Sequence, residues 1–143
     1  MTGRRLLADE GSAAIEAAII APCLLLFVLL AIAAGRIVMA GQVVDAAAED
    51  AARQASITRS PSEARDSALA AARATMSGQG LHCASVDIAL GTSGLQAAVG
   101  EAGTVTATVT CRVQLSDLAL PGVPGTRTMT SSFTSTVDQY VER

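Results

Sequence analysis

Residues 17–35 read AAIIAPCLLLFVLLAIAAG, a run of 19 without a charge, bounded by Glu16 and Arg36. Wound as a helix it spans roughly 28 Å, close to the hydrocarbon thickness of a bilayer. This stretch therefore cannot be counted as soluble core, and in a chain of 143 residues it leaves room for one modest domain outside the membrane. Arg4 and Arg5 precede the run, whereas Asp45, Glu49 and Asp50 follow Arg36 on the other side. The bias of basic residues toward the cytoplasm orients the N-terminus inward and the C-terminal domain outward.

Composition excludes several function classes. Formal net charge is -3 and all ten basic side chains are arginine, so neither a basic face for nucleic acid nor a polyanionic tail is available. Aromatic residues make up 2% of the chain and tryptophan is absent, which leaves no stacking platform for bases or sugars.

The apolar run admits more than one reading. Ala31-Ile32-Ala33 before Ala34 fits the small-residue pattern of a signal-peptidase site, although helical sequence continues without a break into Arg36-Ile37-Val38-Met39. A plain signal anchor is the second reading. Glu16 bears on the choice, because a carboxylate at the edge of hydrocarbon is costly and marks a functional candidate. Its mundane account is an acidic residue favoured by the helix dipole, with Asp9 or Ser12 as the cap.

Gly11 stands five residues before Glu16, and a short polar leader with Arg4 and Arg5 stands before that. Glycine, four residues, glutamate and then an apolar helix is similar to the type IV prepilin signal. The run Gly11-Ser12-Ala13-Ala14-Ile15-Glu16, Pro22 in the apolar stretch, and Gly35-Arg36 before an alanine-rich helix resemble the TadE-like minor pilins of tight-adherence (Tad/Flp) pilus systems. The resemblance covers about residues 9–56. Major Flp-type pilins usually carry tyrosine after the glutamate, where this chain has Ala17, so it resembles a minor pilin or pseudopilin more closely.

That resemblance implies a prepilin peptidase cutting between Gly11 and Ser12 on the cytoplasmic side. Glycine suits such a site because its backbone tolerates unusual torsions. Glu16 then becomes the fifth residue, one helical turn from the new amine, able to pair with the Ser12 ammonium of a neighbouring subunit and set axial register. The implied partners are the peptidase, other pilins, an inner-membrane platform protein with its ATPase, and membrane lipid. The implied role is pilus biogenesis, adhesion or secretion.

Outside the membrane the chain changes character twice. Ile37, Val44, Ala48, Ala51 and Ala55 recur at helical spacing, so one helix is expected from Ser12 to Ser56. Ser60-Pro61-Ser62-Glu63 supplies an N-cap, a first-turn proline and a capping-box glutamate for a second helix over 61–77, with Gly78 as its stop. Glu63, Arg65, Asp66 and Arg73 read as its solvated face. From Leu81 the period becomes two. Val105, Ala107, Val109, Cys111, Val113 and Leu115 alternate with Thr104, Thr106, Thr108, Thr110, Arg112 and Gln114, giving the clearest strand. Weaker strands are expected over 85–90 and 126–141, with 91–103 and 120–125 as turns.

The expected fold is α+β, with a leader (1–11), a long helix (12–56, transmembrane over 17–35) and a head (57–143). In the head, the second helix and a small three-stranded antiparallel sheet pack on the outer half of the first helix, the general pilin layout.

Chemistry is sparse. Cys23 lies in the apolar run as a small apolar residue. Cys83 and Cys111 both fall outside the membrane, and Cys111 faces inward on its strand, so a disulfide joining the first two strands is expected. A zinc site would have only these thiols and His82, the single histidine, as ligands. Asp87, Glu101, Asp117 and Asp138 show no catalytic pairing, and Gly91-Thr92-Ser93-Gly94 lacks the lysine and helix of a phosphate loop. The expectation is a structural protein with no cofactor, metal or small-molecule substrate. A signal-anchored extracytoplasmic binding module of unknown ligand is the alternative from another class.

Overall fold

The computed structural model describes residues 6–58, 60–97, 101–118 and 124–137, with side chains from residue 13 onward. The elements are α1 (Leu6–Ser56), α2 (Pro61–Gly78), β1 (Ser85–Gly91), a short 3-10 turn (Ser93–Gln96), β2 (Thr104–Gln114) and β3 (Thr126–Thr136). The fold is α+β, as expected, and the three strands form one antiparallel sheet in the order β1-β2-β3. The chain divides into two compact units, 1–35 and 36–143, so that α1 contributes its first thirty residues to one and its remainder to the other.

Among the described residues the helix α1 already includes Leu6, six residues ahead of Ser12. Leu6, Leu7, Ala8 and Glu10 are good helix formers, and a single glycine, Gly11, does not stop the helix they begin. Asp9 and Ser12 consequently lie within the helix rather than ahead of it. The helix also continues through Pro22, whose missing N–H leaves the Ala18 carbonyl without its usual partner.

The core of the second unit is built from small side chains. Ala40, Val44, Ala47, Ala48, Ala51, Ala52 and Ala55 of α1 are buried, at the three-and-four spacing that puts them on one face. Helix α2 contributes a single row, Ala64, Ala68, Ala72 and Met76, each four residues from the last. Against them stands the inner face of β2, with Val105, Ala107, Val109, Cys111 and Val113 buried in strict alternation. Alanine carries little apolar area, so the stabilisation per residue is modest, but its size lets the backbones approach closely. Two hydrogen bonds fix the helix: Thr75 Oγ1 of α2 donates to Asp50 Oδ2 at 2.5 Å, and Ser135 Oγ of β3 donates to Ser56 Oγ at 3.3 Å.

Local signals set the ends of α2. The Ser60 hydroxyl accepts from the Glu63 N–H at 3.3 Å, and Pro61 occupies the first turn. The helix runs through Gly78, one residue past the expected Ser77, with Gln79 as its C-cap. The residue in the left-handed region is Gly80, with φ 73°, and the Leu81 N–H closes back on the Met76 carbonyl at 2.9 Å. Glu63, Arg65, Asp66 and Arg73 are all exposed, as a solvated face should be.

The 91–103 segment holds more structure than a turn. Its 3-10 turn buries Leu95 and brings Gly94 against the start of β2, where an added Cβ would stand 2.2 Å from the Thr104 backbone nitrogen and oxygen. β2 ends at Gln114, so Leu115 opens a turn that buries Leu118. β3 ends at Thr136; residues 138–141 of the expected strand, Asp138 included, lie outside the described residues.

The alanine row of α2 leaves no space for a larger side chain. Ala68→Leu is expected to destabilise the second unit by about 1 to 3 kcal/mol through overpacking, read as a lower urea midpoint by circular dichroism in detergent. Ala70→Leu, on the exposed face, should leave the midpoint within about 0.5 kcal/mol.

Candidate functional site

Two places carry the residues that the sequence singles out, one in each unit. In the first unit, the whole stretch from Leu24 to Leu30 is 52–70% exposed, so its large apolar side chains have no protein neighbours to cover them. This is a helix long and apolar enough to cross a membrane. The exposure that would be ruinous in water is what a lipid-facing segment requires.

Glu16 sits at the start of that surface. It shares a groove of about 400 Å³ with Ala13, Ala17, Ile20, Ala21 and Leu24. Ala13, Ala17, Ile20 and Leu24 recur at three and four residues, so one face of the helix presents a carboxylate within an apolar stripe. Among the described residues no cation or hydrogen-bond donor lies against it. The Gly11–Ser12 peptide lies within α1, just over one turn before Glu16. Gly11 is a weak point there, because glycine in a helix interior costs about 1 kcal/mol relative to alanine. Cys23 is free and exposed on the same helix.

In the second unit, Cys83 and Cys111, 28 positions apart in the sequence, form a disulfide with Cα atoms 5.5 Å apart. Cys111 is fully buried in β2, opposite Val86 on one side and Met129 on the other. Cys83 stands two residues before β1, in the connection from α2, so the bond ties that connection rather than β1 itself to β2. The Ala84 N–H donating to the Arg112 carbonyl at 2.7 Å continues the ladder up to it. The Cys83 sulfur also lies 3.4 Å from the Met76 thioether, so the bridge packs on the end of the α2 core row.

His82 is exposed beside the bridge, and Asp87, Glu101 and Asp117 are exposed on β1 and on turns. Among the described residues no three His, Cys, Asp or Glu side chains gather where a metal could be held. Sequence reading missed the hydroxyl array on the outer sheet face. Thr106 pairs with Thr134 at 2.9 Å, Thr108 with Ser132 at 3.2 Å and Thr110 with Thr130 at 3.3 Å across β2 and β3. The signal was present in the alternate threonines of both strands, but only the register places them opposite one another.

An apolar N-terminal helix with a marked carboxylate, continuous with a helix that packs into a disulfide-tied α+β unit, defines the class: a small protein with a single-pass membrane anchor. The family model described as TadE-like protein matches residues 11–53, so the N-terminal helix of this chain is similar to the TadE-like domain. The match begins at Gly11 and ends in the last turn of α1, leaving α2 and the sheet outside it. No curated protein and no solved structure matches the chain.

The disulfide closes a loop within an alanine-rich core. Reducing it, or introducing Cys83→Ser, is expected to lower stability by about 2 to 4 kcal/mol, measured by urea unfolding in detergent with and without reductant. Cys23→Ala should leave the midpoint and its response to reductant unchanged.

Proposed function

We propose that the chain is a minor pilin or pseudopilin of a tight-adherence pilus, inserted with its N-terminus in the cytoplasm and processed between Gly11 and Ser12. One observation carries this reading: Glu16 stands in an apolar stripe on an exposed, membrane-length helix, one turn beyond the first residue of the TadE-like match. A carboxylate in that position has a use only if a cation comes to it. Cleavage after Gly11 creates one, the Ser12 ammonium, one helical turn away on this chain and on every neighbouring copy.

Pairing of Glu16 with the amine of an adjacent subunit removes two charges from a low-dielectric surface and sets how far the helices slide past each other. Desolvation offsets much of the Coulomb gain, so the pair acts on register more than on raw affinity. The apolar stripe around Glu16 supplies the packing surface, and its alanines allow close helix approach. The Cys83–Cys111 bridge supports an extracytoplasmic head, because disulfides persist in oxidising compartments. The roles that follow are pilus biogenesis, adhesion or secretion, with a prepilin peptidase, a platform protein and its ATPase as partners besides other pilins.

Intact mass of the chain from membranes is expected to show loss of residues 1–11 with Ser12 exposed. An unprocessed chain would identify a signal anchor, and a start at Ala34 a secreted form. Glu16→Ala should leave processing largely intact while reducing incorporation into filaments by about tenfold or more, since an unpaired buried charge costs about 3 to 5 kcal/mol. Normal filament yield with that substitution would remove Glu16 from the assembly role.

A further inference from the structure

We propose that the second unit holds the headgroup of a membrane phospholipid, with the phosphate on Arg36 and a primary ammonium on Asp117. A groove of about 340 Å³ has both residues in its lining. That is within the range of roughly 300–1,000 Å³ usual for small-ligand sites. Arg36, Met39 and Ala40 form its α1 wall, at the spacing of one helix face. Gln79, just beyond α2, and Asp117 and Leu118, in the turn after β2, complete the part that bears on the ligand. All of these belong to the 36–143 unit.

Position along the chain selects a membrane ligand. The charge-free run ends at Gly35, so a helix that spans the hydrocarbon brings Arg36 to its edge. From Gly35 to Ala40 a helix rises roughly 7.5 Å, about the thickness of the polar headgroup layer on one side of a bilayer. The α1 wall of the groove therefore lies at the depth of phosphate and glycerol. Met39 is 67% exposed, an apolar side chain poorly placed in water but suited to glycerol and the first acyl carbons.

The charges select the headgroup. Arg36 is exposed, and among the described residues it takes part in no ion pair. A guanidinium meets phosphate with two parallel N–H donors and is weakly hydrated, which suits it to this ligand at a membrane surface. Asp117 is also exposed, with Ser116 Oγ donating to its Oδ1 at 3.4 Å. Beside a layer of phosphates a carboxylate is repelled unless a cation accompanies them. The ammonium of an ethanolamine headgroup is such a cation, tethered to its own phosphate by two carbons. A glycerol headgroup would leave Asp117 unpaired, and a choline headgroup brings a cation with no N–H to donate.

Two short turns build the groove before any ligand arrives. On the α2 side, Gly80 with φ 73° and the Leu81 N–H bond to the Met76 carbonyl hold Gln79 in place. On the other, the Asp117 N–H donates to the Gln114 carbonyl at 3.1 Å and the Leu118 N–H to the Leu115 carbonyl at 3.2 Å, with Leu118 buried. Binding therefore orders little backbone. Phosphates line both faces of a bilayer, so the site rests on the membrane-spanning segment and not on which side the head occupies or on cleavage after Gly11.

Native mass spectrometry tests this on the full-length chain, released from detergent micelles holding equimolar phosphatidylethanolamine, phosphatidylglycerol and phosphatidylcholine. Retained phosphatidylethanolamine is expected at about tenfold over each of the other two lipids. Arg36→Ala should lower retention of every phospholipid by about tenfold, and Arg36→Lys should restore part of it. Asp117→Asn should keep phospholipid binding but lose the preference for ethanolamine over glycerol. Arg65→Ala, near the far end of α2, should change neither. Each variant is read with its Cys83–Cys111 bridge formed, so loss of lipid is not loss of fold. Equal retention of the three lipids, Arg36→Ala binding like the wild type, or an ethanolamine preference that survives Asp117→Asn would each overturn the assignment. So would a benzophenone side chain at Met39 that crosslinks in native membranes to protein and to no lipid. The same spectra report whether residues 1–11 are present, which keeps failure of the lipid site distinct from failure of processing.

Discussion

The second unit depends on the close approach of α1, α2 and β2, which is possible because nearly every side chain between them is alanine or valine. Seven buried positions on α1 and four on α2 include one methionine and one valine as their only larger members. Dispersion and burial per contact are therefore small, and stability must come from short backbone distances and the number of contacts made. Such an interface is intolerant of added volume, since neither helix can move away without breaking the Thr75–Asp50 or Ser135–Ser56 hydrogen bonds.

That thin core explains the placement of the disulfide. Cys111 lies on the buried face of β2, between Val109 and Val113, and its partner holds the α2–β1 connection against the end of the alanine row at Met76. The bridge constrains the unfolded chain of a unit whose buried side chains are mostly small. The same economy of bulk leaves β3 as the least covered element, with Ser131 and Ser135 on an inner face where a thicker core would place Val or Leu.

The first unit obeys the opposite rule. Its apolar side chains are large and turned outward, and Glu16 breaks the stripe near its start. A single helix thus passes from a stretch shaped for lipid and neighbouring helices into a stretch shaped for its own sheet. The change of composition falls at Gly35-Arg36, which is also where the two compact units divide.

Sequence alone determined the elements whose signals are local. The charge-free run, the Ser60-Pro61 start of α2 and the alternation along β2 each state their structure within a few residues, because helix capping and side-chain period are nearest-neighbour properties. Gly11 and Glu16 were legible as a spaced pair for the same reason, and the two cysteines could be matched because only two lie outside the membrane run. Tertiary structure decided what depends on residues distant in the chain. It set the left-handed turn at Gly80 after α2, the buried 3-10 turn packed on Thr104, and the attachment of Cys83 ahead of β1. It also set the register that turns scattered threonines into paired rows. None of these follows from a local period, because each rests on which backbone comes close to which, and that is known only once the helices and sheet have packed.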